Sequence, residues 1–480
     1  MINNPSSPRP TGEKVIVIGG GVAGLAAAVA LAEEGFRVTL LEKRATLGGR
    51  ASSFTDQASG ELVDNCQHIT MRCCTNLEFF YRRIGAWDKI RFYSKLTFLD
   101  HRGRPAIIQN GSPFPAPFHT LFSFARFHPL SFSEKSLVAI ALIAILRAGT
   151  NPNMDSESMG NWLRKQKQPE RAMAHFWRPI LVSACNEEPD RISCELGFKL
   201  FRDGFLSNAD AYQIGVPSVR LSDLYTQPSI ETLSALGAEV KLKVHADVLS
   251  VSDGKVKSLT LSDGSTLFAD YYLSAVPFDI LLKMLPNDIK ETPFFKDISR
   301  LEYSPITGVH LWFDKPFEVR EPLALLDRET QWVFPKENTQ SDGDGLSNGG
   351  AYLALVVSSS KSFLSLSADE IMDICLKEVQ EALPQSRSAR LLHGRVIKEK
   401  KATFAPLPGV KSLRPGQATP IANLFLAGDW TRTEWPATME SAARSGYLAA
   451  ERILERTGRP KSLVQPDLPP SRLAKWFLGA

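Results

Sequence analysis

The chain has 480 residues, 43% of them hydrophobic and 22% charged, with a formal net charge of +4. A chain of this length and apolar content buries a large core and should form two domains. The slight charge and the lack of a long basic run exclude a nucleic-acid partner, and six cysteines with no C-x-x-C spacing point to a reducing compartment without a disulfide framework.

Residues 1–11 belong to a polar, Pro- and Ser-bearing tail without the apolar segment of a signal peptide, so a disordered tail and a cytoplasmic protein are expected. Val15 to Ile18 is an unbroken β-branched run, which predicts a strand buried on both faces of a parallel sheet. Gly19, Gly21 and Gly24 follow with G-x-G-x-x-G spacing. The first permits a tight turn, the second lets a pyrophosphate approach the backbone, and the third lets helix and strand pack closely. Val22 and Ala23 open a predicted helix reaching Glu34, whose N-terminus presents free N–H groups and a positive dipole end. Gly35 ends it, and Arg37 to Leu41 predicts the second strand. Glu42, with Lys43 beside it, falls where a carboxylate accepts hydrogen bonds from ribose hydroxyls and repels a 2′-phosphate, which disfavours NADP. Gly48, Gly49 and Arg50 then supply a flexible backbone and a guanidinium suited to forking onto a phosphate.

Cys66, Cys73 and Cys74 have no zinc-site spacing and no second Cys-rich arm, so no metal is expected. Phe114, Phe118, Phe122, Phe124, Phe127 and Phe132 crowd a Pro-rich stretch, which either meets a membrane interface or lines a tunnel or core. The apolar run Leu137 to Leu146 is about half the length that crosses a bilayer. Val240 to Val251 reads as one alternating strand, and Asp253-Gly254 with Asp263-Gly264 mark the turns of a three-stranded meander. Strands are predicted at Ile306–Phe313, Ala351–Ser358 and Leu391–Ile397, and Ser367 with Glu370 makes a capping box for a helix to Leu383.

At the far end, Leu424 to Ala427 predicts another buried strand, Gly428 allows a close ligand approach, and Asp429 is placed to accept from a ribityl hydroxyl. Thr438 is the expected N-cap of a helix beginning at Met439, its positive end facing the flavin N1 and C2 carbonyl. A fingerprint split between both ends of one chain implies FAD, and the lack of Cys in the C-terminal segment makes it non-covalent.

These motifs resemble the amine oxidase and carotenoid desaturase superfamily of flavoproteins over most of the chain. A closer similarity is to the hydroxysqualene dehydroxylases, the squalene-associated FAD-dependent desaturases. It is carried by Asp64-Asn-Cys-Gln-His68 with Cys73-Cys74-Thr-Asn76, by Phe79 to Gly85, and by Ala427 to Thr431 with Trp435 to Glu440. Where that family usually has Gly before Trp-Pro, this chain has Glu434, which is expected to alter the pocket beside the ring; Ser441 likewise replaces a common Gly.

The resemblance implies an α/β fold: a discontinuous Rossmann-like FAD domain from 12–75, 216–275 and 416–460, and an α+β substrate domain from 76–215 and 276–415. The first piece of the substrate domain reads as mainly helical. Residues 461–480 are a C-terminal tail whose basic, aromatic last nine residues are expected to be disordered or to dip into a membrane interface. By the same resemblance the backbone at Val248 meets the adenine.

The implied reaction removes the allylic hydroxyl of hydroxysqualene to give squalene, with hydride from reduced FAD. His68 is the first candidate for the acid that protonates the leaving hydroxyl, with hydrogen bonding to the flavin as its rival role, and Glu434 and Glu440 follow it. Gln67, Trp430 and Trp435 are expected pocket walls beside the ring, where aromatic faces stabilise an allylic cation. No second dinucleotide fingerprint appears, so electrons must come from an external reductase or quinone. The protein is expected to be peripheral on the inner face of the cell membrane. Competing readings are a carotenoid-type desaturase, an amine oxidase, for which Thr438 stands where an aromatic is needed, and a non-enzymatic flavin-binding subunit.

Overall fold

The computed structural model describes residues 12–57, 60–148, 154–336 and 349–478, so the expected tail over 1–11 lies outside the described residues. Five short strands form a parallel sheet in the order Glu239–Leu242, Arg37–Glu42, Lys14–Ile18, Tyr271–Ser274 and Leu424–Leu426. Val15 lies opposite Val38 and Tyr271, and Leu273 lies opposite Phe425, so the outer strands come from remote parts of the chain. The β-branched run of the first strand is buried on both faces, as a covered parallel sheet requires.

The helix Val22–Glu33 is apolar all round because it is enclosed. The sheet covers one side and the helix Met439–Arg456 the other. That helix pair approaches closely through Gly446, where a Cβ would stand 2.3 Å from the Ala23 carbonyl oxygen.

A second, seven-stranded mixed sheet runs in the order Leu391–Phe404, Tyr303–Phe313, Tyr352–Ser358, Trp332–Lys336, Leu323–Leu325, Lys95–Leu99 and Pro105–Gln109. Its odd-numbered side chains Val309, Leu311 and Phe313 pack under the helix Ala368–Ala382, which Ser367 and Glu370 cap reciprocally. The opposite face, through Ile306, Trp332, Phe334 and Val356, turns towards a helical layer and a deep cleft. That layer includes Phe132–Arg147, Arg178–Cys185 and Cys194–Phe201.

Two expectations need correction and a third needs an addition. Val240 to Val251 is two elements: Glu239–Leu242 joins the parallel sheet, Lys243 turns with φ 59°, and Ala246–Ser252 starts the three-stranded meander. The segment 76–215 is mainly helical as expected, but it also carries the unexpected strands Lys95–Leu99 and Pro105–Gln109, which form a hairpin on the mixed sheet. The C-terminal tail is docked. Gln465 exchanges hydrogen bonds with Asn76, Asp467 pairs with Lys199 and Arg444, and Arg472–Leu478 is a helix packed on Phe132–Arg147.

Candidate active site

A cavity of about 470 Å³ is bounded by the parallel sheet, the mixed sheet and the helical layer. At one end it is lined by Gly19, Gly21, Val22, Ala23, Glu42 and Lys43. Gly19 turns with φ 108°, and Gly21 opens the first helix without a side-chain cap. Gly24 does not line the cavity: a Cβ there would stand 2.0 Å from the Gly19 carbonyl oxygen, so its role is to let helix and strand close. Glu42 is held by the Gly20 and Arg44 backbone N–H groups, both at 2.8 Å, which aims its carboxylate at the cavity. Glu42→Ala removes both anchors and the acceptor, so purified protein should lose at least tenfold in FAD affinity, read by flavin fluorescence on titration.

Val248 is not brought to this site. It lies on the meander opposite Thr260 and is 42% exposed, while Val244, His245 and Ala246 line the cavity instead. The reason is the strand break: after Lys243, the Val244 N–H donates to the Glu42 carbonyl at 2.9 Å and leads the chain past the end of the parallel sheet.

The middle of the cavity joins the two ends of the sequence. Gly48, Gly49 and Arg50 meet Gly428, Asp429, Trp430, Trp435, Thr438 and Met439 there. Gly49 lies close to Gly21, where a Cβ would sit 3.0 Å from its Cα. Arg50 forms an ion pair with Asp429 and donates to the Ala402 carbonyl at 2.6 Å. Gly428 has φ 145°, and a Cβ would strike the Trp430 ring nitrogen at 2.5 Å, so only glycine seats that indole. Trp430 then donates to the Val276 carbonyl at 3.1 Å. Thr438 accepts from the Ser441 N–H at 3.1 Å and caps the helix whose N-terminus faces the cavity.

Sequence reasoning missed Arg414. Fully enclosed, it donates to the carbonyls of Thr431 at 2.6 Å, Trp435 at 2.9 Å and Asp429 at 3.0 Å, and lies over the Phe404 ring. It thereby shapes the whole loop from Asp429 to Trp435. Burial lowers its pKa to about 10, so it stays charged at neutral pH.

Glu434 points away from the cavity. It has φ 64°, is exposed, and pairs with Lys411 at 3.5 Å, so its expected effect on the pocket is not met. The left-handed backbone gives the physical reason for the family's usual glycine at this position. Glu440 is fully buried and accepts from the backbone N–H of Leu77 at 2.8 Å and the Asn76 amide at 2.9 Å. It thus serves the N-terminus of the neighbouring helix Thr75–Arg83 rather than the reacting centre.

The segment from Asn65 to His68 forms another wall. Just before it, the Asp64 carboxylate accepts from Ser53 Oγ at 2.8 Å, the Leu221 N–H at 3.0 Å and Lys336 Nζ at 2.9 Å. Its carbonyl accepts from His310 Nε2 at 3.1 Å; His310 Nδ1 must then accept from Tyr352 Oη at 2.8 Å. Two strands of the mixed sheet therefore hold this wall in place. His68 Nδ1 donates to the Cys66 carbonyl at 2.9 Å, because a carbonyl only accepts, and Nε2 is left as an acceptor. Burial lowers the His68 pKa, so the ring is neutral at pH 7.

The residues present fit a dinucleotide. The glycine backbones form a cradle beside an uncapped helix N-terminus, and Gln67 Oε1 is a buried acceptor with no partner among the described residues, on a wall facing the cavity. Beyond it the cavity turns apolar, lined by Leu96, Phe98, Ile180, Leu200, Phe205 and Phe334. Cys66, Cys73 and Cys74 also reach its wall, but as buried thiols, with burial pushing Cys66 up to about 12.

The family described as flavin containing amine oxidoreductase matches residues 22–454. The chain belongs to that family. This flavoprotein is an FAD-dependent oxidoreductase of the amine oxidase and carotenoid desaturase superfamily. It is 28% identical over 466 residues to the 15-cis-phytoene desaturase, chloroplastic/chromoplastic, of Solanum lycopersicum, covering 94% of this chain and 79% of the relative. It is 27% identical to the 15-cis-phytoene desaturase of Synechococcus elongatus, covering 94% of this chain and 100% of that one. Among solved structures, an oxidoreductase from Methanosarcina mazei superimposes with a TM-score of 0.70 at 17% identity, covering 92% of this chain and 100% of that one, a likeness of fold. No described helix is long and apolar enough to cross a membrane.

Proposed function

We propose that this flavoprotein moves hydride between FAD and an allylic carbon of a long linear isoprenoid, in the desaturating direction named for its carotenoid-desaturase relatives. The observation that carries this reading is the cavity itself. It continues from the flavin-binding residues into an apolar arm between Phe98, Ile180, Phe205 and Phe334. FAD, when bound, accepts hydride in its oxidised form and donates it in its reduced form. Arg50, Asp429 and the helix capped by Thr438 would hold it, and Trp430 and Trp435 would wall the reacting end.

Desaturation breaks C–H bonds on two adjacent carbons, forms the double bond between them, sends hydride to the cofactor and leaves a proton. His68 Nε2, kept unprotonated by the fixed tautomer and the lowered pKa, is the acceptor on the wall for that proton. Electrons would then leave to an external quinone or reductase at the cytoplasmic face of the membrane.

A second reading is favoured by the squalene-type stretches Asp64 to His68 and Trp435 to Glu440, which line the same cavity from Asn65 to His68 and from Trp435 to Glu440. In that direction the protein removes the allylic hydroxyl of hydroxysqualene and gives squalene, with electrons entering from a reductase or quinone. This route needs a proton donor, and the neutral His68 is poorly poised for it.

An anaerobic single turnover in detergent decides between them. Oxidised holoenzyme reduced by phytoene, with a desaturated product, supports the first reading; photoreduced holoenzyme reoxidised by hydroxysqualene, with squalene formed, replaces it with the second. Loss of both activities in intact holoenzyme removes the isoprenoid reading. In the desaturating direction, His68→Ala should slow flavin reduction about 10²–10⁴-fold at unchanged FAD content. An unchanged rate takes His68 out of the mechanism.

A further inference from the structure

Six of the ten exposed large apolar side chains among the described residues fall in two segments far apart in sequence; Val248, Phe268, Leu364 and Leu392 lie elsewhere. Phe132 is 86% exposed, Trp476 69% and Ile140 60%, and Phe114, Leu121 and Phe122 are also exposed. The two segments meet in space. Ser471 Oγ donates to the Ala116 carbonyl at 2.5 Å, the Phe118 and Phe477 rings stand 6.0 Å apart, and Arg147 lies 5.4 Å from the Phe477 ring. Helix Arg472–Leu478 packs against helix Phe132–Arg147, and on the latter Phe132, Ile140 and Arg147 fall within one arc of its circumference.

The charge around this surface is one-sided. Segments 112–148 and 470–478 hold Arg126, Lys135, Arg147, Arg472 and Lys475 against a single carboxylate, Glu134, which is occupied by its own capping box with Ser131. Apolar side chains ringed by cations match an anionic lipid surface, where rings enter the acyl boundary while Lys and Arg stay at headgroup level. A protein partner of the same area would be expected to meet hydrogen-bonding groups among the apolar ones.

We infer that the Phe-rich segment, helix Phe132–Arg147 and the C-terminal helix together form one docking surface for an anionic phospholipid bilayer. The inference deepens the lipid reading by saying where the protein meets its substrate's solvent. It does not depend on the reaction's direction, because turnover in detergent and binding to vesicles are measured separately.

The test is co-sedimentation of full-length holoenzyme with vesicles of phosphatidylcholine plus phosphatidylglycerol, and with phosphatidylcholine alone. Binding is expected to the anionic vesicles, to fall with added salt, and to drop at least tenfold in Phe132→Ser/Ile140→Ser/Trp476→Ser holoenzyme of unchanged FAD content. Three outcomes overturn it: no binding to the anionic vesicles, equal binding by the triple variant, or a dimer in solution that the triple variant abolishes. If the triple variant does not fold, Arg472→Gln/Lys475→Gln, which touches only surface charge, must still weaken binding to the anionic vesicles; equal binding overturns the inference.

Discussion

Arg414→Met is expected to give a protein that retains no FAD and is destabilised by about 3–5 kcal/mol, measured by denaturant unfolding and by flavin content after purification. The guanidinium satisfies three backbone carbonyls of one loop, those of Asp429, Thr431 and Trp435, and donates to Thr433 Oγ1 at 3.1 Å. Methionine fills the volume but leaves those acceptors buried and unmatched. The loop then loses the shape that places Asp429, Trp430 and Trp435 on the cavity. Arg414→Lys should rescue little, because one ammonium cannot reproduce the planar fork. Full FAD content in Arg414→Met would show that the loop holds its shape without the fork.

The second large effect concerns the knot at Asp64. Asp64→Ala leaves Lys336 as a nearly buried cation without its partner and removes the acceptor for Ser53 and Leu221, so a loss of about 3–5 kcal/mol is expected. Lys336→Met should cost a similar amount, and the double variant clearly less than the sum, since no unpaired charge remains. Burial pushes the Asp64 carboxyl up, but Lys336, the Leu221 N–H and the Ser53 hydroxyl more than offset it and hold it below its ordinary value. A carboxyl whose pKa is lower folded than unfolded binds fewer protons in the folded state. Its contribution is therefore complete above about pH 4 and drains away as pH falls through the folded value. The acid-side loss of stability should be shallower in Asp64→Ala than in the parent; identical acid limbs would exclude Asp64 as a source.

What could be read from the sequence divides along contact distance. The strand Lys14–Ile18, the helix after it and the cap at Thr438 were legible because each signal is local: β-branching, glycine spacing, a hydroxyl at a helix start. The meander was legible from its Asp-Gly turns. The break at Lys243 was not, because the alternation of apolar and polar residues continues across it and only the backbone sign changes. That single turn also puts Val244 to Ala246, rather than Val248, on the cavity wall.

Arg414 and His310 escaped for a different reason. Each acts on backbone groups, His310 on a carbonyl 246 residues away, and no side-chain motif announces a carbonyl. The last nine residues were read as disordered or interfacial because in isolation they have no partner; the helix Arg472–Leu478 finds one in Phe132–Arg147, and the residues before it are tied to Asn76, Ala116 and Lys199.

The order of strands in the parallel sheet has a consequence for synthesis. A ribosome that has produced the first four strands has delivered the glycine fingerprint and Glu42, but not the edge strand Leu424–Leu426, Gly428 or Asp429. The nascent chain must carry an incomplete sheet and an incomplete cofactor cradle until residues 424–429 emerge, about 150 residues after the fourth strand, and the segment that ties Asn76 to Gln465 comes later still. Flavin capture is thereby coupled to synthesis of the stretch from Leu424 to Asp429, and a product terminated before it lacks both the completed cradle and the fifth strand of the sheet.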